Sequence, residues 1–201
     1  MILIGYSGHA FVAYGILRAA GKTVSGYCDV HEKEHNPFGL TYHGPENSAK
    51  ALEALQQQGF FIAVGDNGLR KKICDDLQQK NLLPGNAIHP SAVIDPSVSI
   101  AANGIMIAAH ASINPLAVIG AGAICNTGCI VEHECVVGEF AHIGPGAVLC
   151  GNVKIGAASF VGANAVIKQG VTVGKNAMIG AGAVVVKDVP DDVTVIGVPA
   201  K

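Results

Sequence analysis

Charge is scarce in this chain: of 201 residues only 14% are Asp, Glu, Lys or Arg, with a formal net charge of -2. No basic run occurs, which argues against a nucleic-acid partner, because a phosphate backbone is bound by clustered Lys and Arg. The apolar residues come in short runs such as Phe60 to Val64 and Ala183 to Val186. These fall far below the ~20 residues needed to cross a bilayer. The start, MILIGYSGHA, lacks the basic flank and long apolar core of a signal peptide and reads as a strand, so a soluble, cytoplasmic protein is expected. None of the six cysteines (28, 74, 125, 129, 135, 150) forms a CxxC pair. They read as reduced thiols, with Cys125, Cys129 and Cys135 filling small core positions rather than holding zinc. What remains is a protein of small molecules.

Half the residues are hydrophobic, enough to bury a large core in one or two domains. Residues 1–84 read as alternating strand and helix. Ile2 to Ile4 make a strand, GYSGH a turn, Ala10 to Ala20 a helix stopped by Gly21, and Val24 to Cys28 a second strand ending at Asp29. Ser48 caps a helix through Gln58, Phe60 to Val64 is an apolar strand, and Leu69 to Lys80 is a helix with Leu69, Ile73 and Leu77 at helical spacing. This order predicts a small Rossmann-like parallel sheet, with ligands outside the carboxyl ends of its strands. Glycines at 5 and 8 admit a diphosphate to a helix N-terminus, and Asp29 is placed to accept from a sugar hydroxyl. The spacing is not G-x-G-x-x-G, so a mononucleotide or nucleotide sugar is expected rather than NAD.

Residues 85–201 follow a different rule. Stepping by six from Ile107 to Val185, thirteen of fourteen residues are aliphatic, and the residue four places after each is never bulkier than valine. Ile88, Ile94 and Ile100 extend the series upstream, with one residue inserted before Ile107. Neither a helix of period 3.6 nor a two-step strand holds such a ladder on one face, so the chain must coil into a solenoid of short stacked strands.

One stretch breaks the habit. From Pro96 to Val131 there is no charged residue, and then IVEHECVVGEFAH brings Glu132, Glu134 and Glu139 together with His133 and His142. In the six-step register Glu132, His133, Glu134 and His142 all point outward. An outward imidazole suits acyl transfer: it takes the proton a neutral amine or hydroxyl loses on attacking a thioester, with Glu134 or Glu132 orienting the ring. Backbone amides or His142 would favour the oxyanion. Cys135 falls on an inward position, against a covalent cysteine route.

The six-residue repeat resembles that of the hexapeptide-repeat acyltransferases, and implies a left-handed parallel β-helix and a homotrimer. The run NTGCIVEHECVVGEFAHIGPGAVLCGNVKIG, preceded by GYSGH, resembles bacterial acetyltransferases acting on nucleotide-linked amino sugars. That group includes UDP-4-amino-trideoxyhexose (bacillosamine-pathway) and perosamine N-acetyltransferases and sialic-acid O-acetyltransferases. The resemblance implies His133 as general base, Glu134 as its orienting acid and His142 near the acetyl-CoA thioester. It implies nucleotide-sugar contacts from Ser7, Gly8, His9, Asp29, Gly65, Asn67 and Asn126. Gly65-Asp66-Asn67 departs from the family's GNN at its middle position. Acetyl-CoA is expected along the coils after His142, past Gly151, Ala163, Lys168, Ala181 and Pro199, where every charged residue between Phe140 and Lys187 is a lysine. The implied activity is N-acetylation of a UDP-linked 4-amino sugar for glycan or glycoprotein synthesis, at subunit interfaces and without a metal. Rival readings are a sugar O-acetyltransferase, a sugar-nucleotide sensor, and a zinc protein of carbonic-anhydrase type using His110, His133 and His142.

Overall fold

The computed structural model of the protein describes residues 1–201. The amino-terminal part is a four-stranded, wholly parallel sheet: β1 (Ile2–Ile4), β2 (Gly26–Cys28), β3 (Thr41–Tyr42) and β4 (Phe60–Ile62), in the order β3-β2-β1-β4. Helices α1 (Gly8–Ala19), α2 (Ala49–Gln58) and α3 (Asn67–Gln78) cover its faces. Each strand residue of β1 and β4 is buried, as strands covered on both sides require. The Ser48 hydroxyl accepts from the Ala51 amide at 3.2 Å and starts α2 as expected. Strand β3, two residues long, is too short to show a period-two pattern in the sequence. Chain order reverses beside β1, between β2 on one side and β4 on the other, so the ligand-binding crevice of this sheet lies at the ends of β1 and β4.

From Ala87 the chain winds as a three-sided prism of two-residue strands, all parallel. The first face runs from Ala87–Ile88 through Ile124–Cys125, His142–Ile143 and Phe160–Val161 to Thr194–Val195. The second runs from Val93–Ile94 through Ile130–Val131 to Val184–Val185, and the third from Ser99–Ile100 through Val136–Val137 to Thr172–Val173. Ile124 pairs with His142, an offset of eighteen residues, whereas Ala87 pairs with Met106, an offset of nineteen. The extra residue before Ile107 therefore bulges from one corner without breaking the stack. The six-step residues and their small partners fill one continuous core, Ile107 to Val185 and Ala111 to Ala183 among them. Ser159, the polar member of the small set, is fully buried with its hydroxyl donating to the Gly174 carbonyl at 2.6 Å and accepting from the Ala177 amide. The glycines after ladder residues have a steric cause: a Cβ at Gly138 would stand 2.7 Å from the Ala157 nitrogen of the next coil.

The two parts share a core. Ala87, Met106, Ala108 and Ile124 on the outside of the first face pack with Leu3, Ala13, Leu17 and Phe61 of the amino-terminal unit. The first face of the prism is therefore the one that the sheet-and-helix unit covers.

Candidate active site

His133 stands on the corner between the second and third faces, half exposed, where the backbone turns through a left-handed Glu134 (φ 60°). That conformation folds the carboxylate back onto the ring, and His133 Nδ1 lies 3.1 Å from Glu134 Oε2. A carboxylate only accepts, so Nδ1 carries the hydrogen and Nε2 presents its lone pair. The ring rests on Gly151 of the following coil, where a Cβ would collide with Nε2 and Cε1. His133, Glu134 and the glycine that makes room for the ring thus form one unit. Cys135, as expected, points inward and is fully buried, its thiol pushed up to about 11 mainly by burial. It is no nucleophile.

His142 points outward as expected but is not exposed. It does leave the prism outward, opposite the inward Ile143, but the amino-terminal unit covers it and it is only 6% exposed. Nε2 takes a hydrogen bond from the Asn126 amide nitrogen at 3.1 Å, and Nδ1 faces the Gly65 carbonyl at 3.4 Å. Both nitrogens are occupied, and so is the Asn126 side chain, whose Oδ1 accepts from the Thr127 amide. His9 sits beside it, ring centres 6.0 Å apart, its own Nε2 buried without a partner. Burial, and then the charge of Arg70, depresses both imidazoles to about 4, leaving a neutral pair at pH 7.

Arg70 was not foreseen as part of the site. Helix α3 buries Arg70, Ile73 and Leu77, so the stripe read through Leu69 is displaced by one residue and Leu69 is exposed. The guanidinium is 1% exposed and spends all five donors, two of them across the seam on Gly122 O (Nε) and Phe140 O (Nη2) and three within its own unit on Val64 O and Gly65 O (Nη1) and Asn67 Oδ1 (Nη2). Five carbonyl-type acceptors stand in for a carboxylate. Asn67, expected to meet substrate, donates to Ala158 O and Ser159 O of the prism at 3.0 and 3.1 Å and lines a cavity beside them. The only sequence trace of this seam was a long cationic residue in register with Ile73 and Leu77.

The loops expected to hold a nucleotide gather at the carboxyl ends of β1, β2 and β4. A cavity of about 360 Å3 lies there, lined by Gly5, Ser7, Asp29, Glu46, Gly65 and Leu69 among others. Ser7 makes no side-chain cap to α1, which leaves the first amides of that helix open. Gly5 needs its positive φ of 87°, and a Cβ there would lie 2.8 Å from Val64 Cγ2, while a Cβ at Gly8 would meet nothing. Asp29 accepts from the Tyr6 and Val30 amides and pairs with Lys33 at 3.0 Å, so it also builds the loop it was expected only to decorate. Across Gly65 and Asp66 a second cavity, about 460 Å3, runs between that loop and Phe160 and Met178 of the first face, with Asn176 at its corner.

The remaining expected residues are divided. Gly151 and Lys168 share the corner of His133, Ala163 and Ala181 lie on the corner between the first and second faces, and Pro199 is exposed in the tail. His110 lies on the corner of Ala163, so His110, His133 and His142 occupy three separate parts of one chain. No group of three His, Cys, Asp or Glu side chains that could hold a metal forms within it.

Residues 1–77 match the family described as PglD N-terminal domain, and residues 152–187 match bacterial transferase hexapeptide (six repeats). A structure of a histidine-to-asparagine mutant of perosamine N-acetyltransferase from Caulobacter crescentus, in complex with CoA and GDP-perosamine, is similar over 100% of this chain and 94% of that one. It is 41% identical, with a TM-score of 0.92. The acetyltransferase domain of PglB from Neisseria gonorrhoeae, in complex with acetyl coenzyme A, is 34% identical over 100% and 97%, with a TM-score of 0.91. The carnitine operon protein CaiE of Escherichia coli is 34% identical over 87 residues, 37% of this chain and 43% of that relative's length. A six-residue ladder wound into a parallel three-sided prism, joined to the same nucleotide-loop unit over the whole length of these structures, is the left-handed β-helix architecture, and the chain belongs to the hexapeptide-repeat sugar acetyltransferases.

Proposed function

We propose that the protein transfers the acetyl group of acetyl-CoA to the 4-amino group of a nucleotide-linked amino sugar used in bacterial glycan or glycoprotein synthesis. The observation that carries this reading is the His133 and Glu134 pair: an accessible imidazole whose hydrogen is held on Nδ1 by a carboxylate at 3.1 Å. His133 Nε2 accepts the proton that the sugar amine loses as its nitrogen attacks the thioester carbonyl. The C–S bond then breaks, and the proton returns to the departing thiolate. Such proton transfer contributes ~10²–10⁴-fold.

The reading requires a second copy of the chain. His133 rises from the edge opposite the face that carries the nucleotide cavity, so one chain alone keeps base and acceptor apart. The outer residues of the intervening second face, Ile130, Val148, Val166 and Val184, are uncharged aliphatics suited to packing against a neighbour. A closed homotrimer brings the His133 edge of one subunit to the nucleotide unit of the next, and acetyl-CoA lies in the groove between them. The relatives support this choice of ligands: the perosamine enzyme is an N-acetyltransferase holding CoA and a nucleotide sugar.

The test is thiol release from acetyl-CoA with a panel of nucleotide-linked 4-amino sugars and sialic acid, run beside His133→Ala. Turnover with an amino sugar that falls at least a hundredfold in the variant, with nucleotide-sugar binding retained, is expected. Undiminished turnover removes His133 as the base, and turnover with sialic acid alone moves the acceptor from amine to hydroxyl. Sedimentation of the full chain as a monomer would remove the shared site.

A further inference from the structure

The nucleotide cavity contains a carboxylate with nothing to bind. Glu46, in the turn between β3 and α2, lines it, is half-buried, and makes no hydrogen bond or ion pair. The other two acids there are engaged: Asp29 holds the Tyr6 and Val30 amides and Lys33, and Asp66 Oδ1 caps α3 through the Leu69 amide at 2.7 Å. A partly desolvated carboxylate without donors is a cost unless a ligand supplies them.

A second observation concerns shape. Val30 is 65% exposed and Leu69 49% exposed, and both line this same cavity. Val30 follows β2 and Leu69 belongs to α3 after β4, so they stand on either side of β1. Two bare aliphatic side chains across a cleft suit the faces of a flat ring, whose burial takes both from water. With the open amides of α1 suited to a diphosphate and Asp29 to a ribose, the two aliphatic side chains remain for the nucleobase, and Glu46 is the unengaged polar group of the same lining.

We infer that Glu46 selects the base of the nucleotide sugar and that the base is guanine. This rests on the acetyltransferase reading above, and it replaces the uridine nucleotide implied by the sequence resemblance. An ionised carboxylate is acceptor-only and matches two adjacent donors. Guanine presents such a pair, its N1–H beside its exocyclic amine. Uracil offers one N–H flanked by two carbonyl oxygens, which a carboxylate repels. Adenine and cytosine each set an amine beside a ring-nitrogen lone pair, so only one carboxylate oxygen finds a donor.

Calorimetric titration of the full chain with GDP, IDP and UDP tests the assignment. GDP binds tightest, IDP about tenfold weaker for the missing amine, and UDP weaker again, a tenfold step corresponding to one such charge-assisted bond. Glu46→Gln weakens GDP at least tenfold and leaves UDP within about twofold. With no partner in the free protein, Glu46 can be replaced without loss of folding, which an unchanged melting temperature verifies. UDP binding as tightly as GDP, or GDP binding unaltered in Glu46→Gln, overturns the assignment. If the protein prefers UDP and still acetylates a UDP-linked amino sugar, the acetyltransferase reading stands and the base assignment alone falls. If it binds none of the three and releases no thiol from acetyl-CoA, both fall.

Discussion

His133 and His142 stand nine residues apart, half of the eighteen-residue coil, and that half-turn gives one residue type two different chemistries. His133 stands on an open edge with one nitrogen tied to a carboxylate and the other free. His142 lies under a second domain, with both nitrogens occupied and its pKa lowered to about 4 by burial and by Arg70. The first offers an accessible, unoccupied nitrogen, whereas the second stays neutral and holds its neighbours in place. A histidine's role is thus set by what covers it rather than by the motif it belongs to.

The sharpest way to break this contrast is to remove the cation behind the buried ring. Arg70→Met leaves the Gly122, Phe140, Val64 and Gly65 carbonyls without their donors and is expected to cost about 3–5 kcal/mol, read as a lower urea midpoint. His133→Ala, by contrast, should leave that midpoint unchanged, because the ring stands half exposed on an edge.

Acidification tests the buried pair next. His9 and His142 titrate near 4 in the folded chain against 6.5 ordinarily, so the unfolded chain binds more protons between those values. Stability therefore rises with pH across this window and is lost as pH falls from about 6.5 toward 4, by a few kcal/mol in all. Urea midpoints at pH 7 and pH 4.5 measure it, and His142→Gln should flatten the slope.

Two smaller effects sharpen the open edge. Gly151→Ala intrudes on the His133 ring and is expected to lower kcat about tenfold to a hundredfold with the melting temperature little changed. Glu134→Gln keeps a hydrogen-bond acceptor but removes the charge that stabilises the imidazolium, and should cost about tenfold in kcat/KM. A Glu134→Gln enzyme as fast as wild type would show that the carboxylate only decorates the turn.

The prism was legible because every coil repeats the same local bargain of one large and one small inward residue, and thirteen aliphatic steps leave no competing register. The position of the loops at the strand ends was legible for a similar reason, since turn glycines and strand ends are short-range features. Leu69 and Arg70 show where this stops. Apolar spacing assigned Leu69 to the core, but the core accepted Arg70, because five oxygens brought by Val64, Gly65, Asn67, Gly122 and Phe140 satisfy a guanidinium that no local pattern could pair. Asn67, read as a ligand contact, also ties the two units together, and Asn126, read likewise, also holds the His142 ring, bonds that no local pattern announces.

By itself, then, the sequence determined the coil, its register with the one inserted residue, and the outward direction of His133 and His142, because these follow from steps of six along one chain. Only the tertiary structure decided that one imidazole stays in water while the other is sealed and neutral, and that Glu46 is left without a partner. Those outcomes depend on which surface the amino-terminal unit covers, through contacts such as Arg70 with Phe140, seventy residues apart. Burial and partner geometry are properties of that docking, and no periodicity along the chain encodes them.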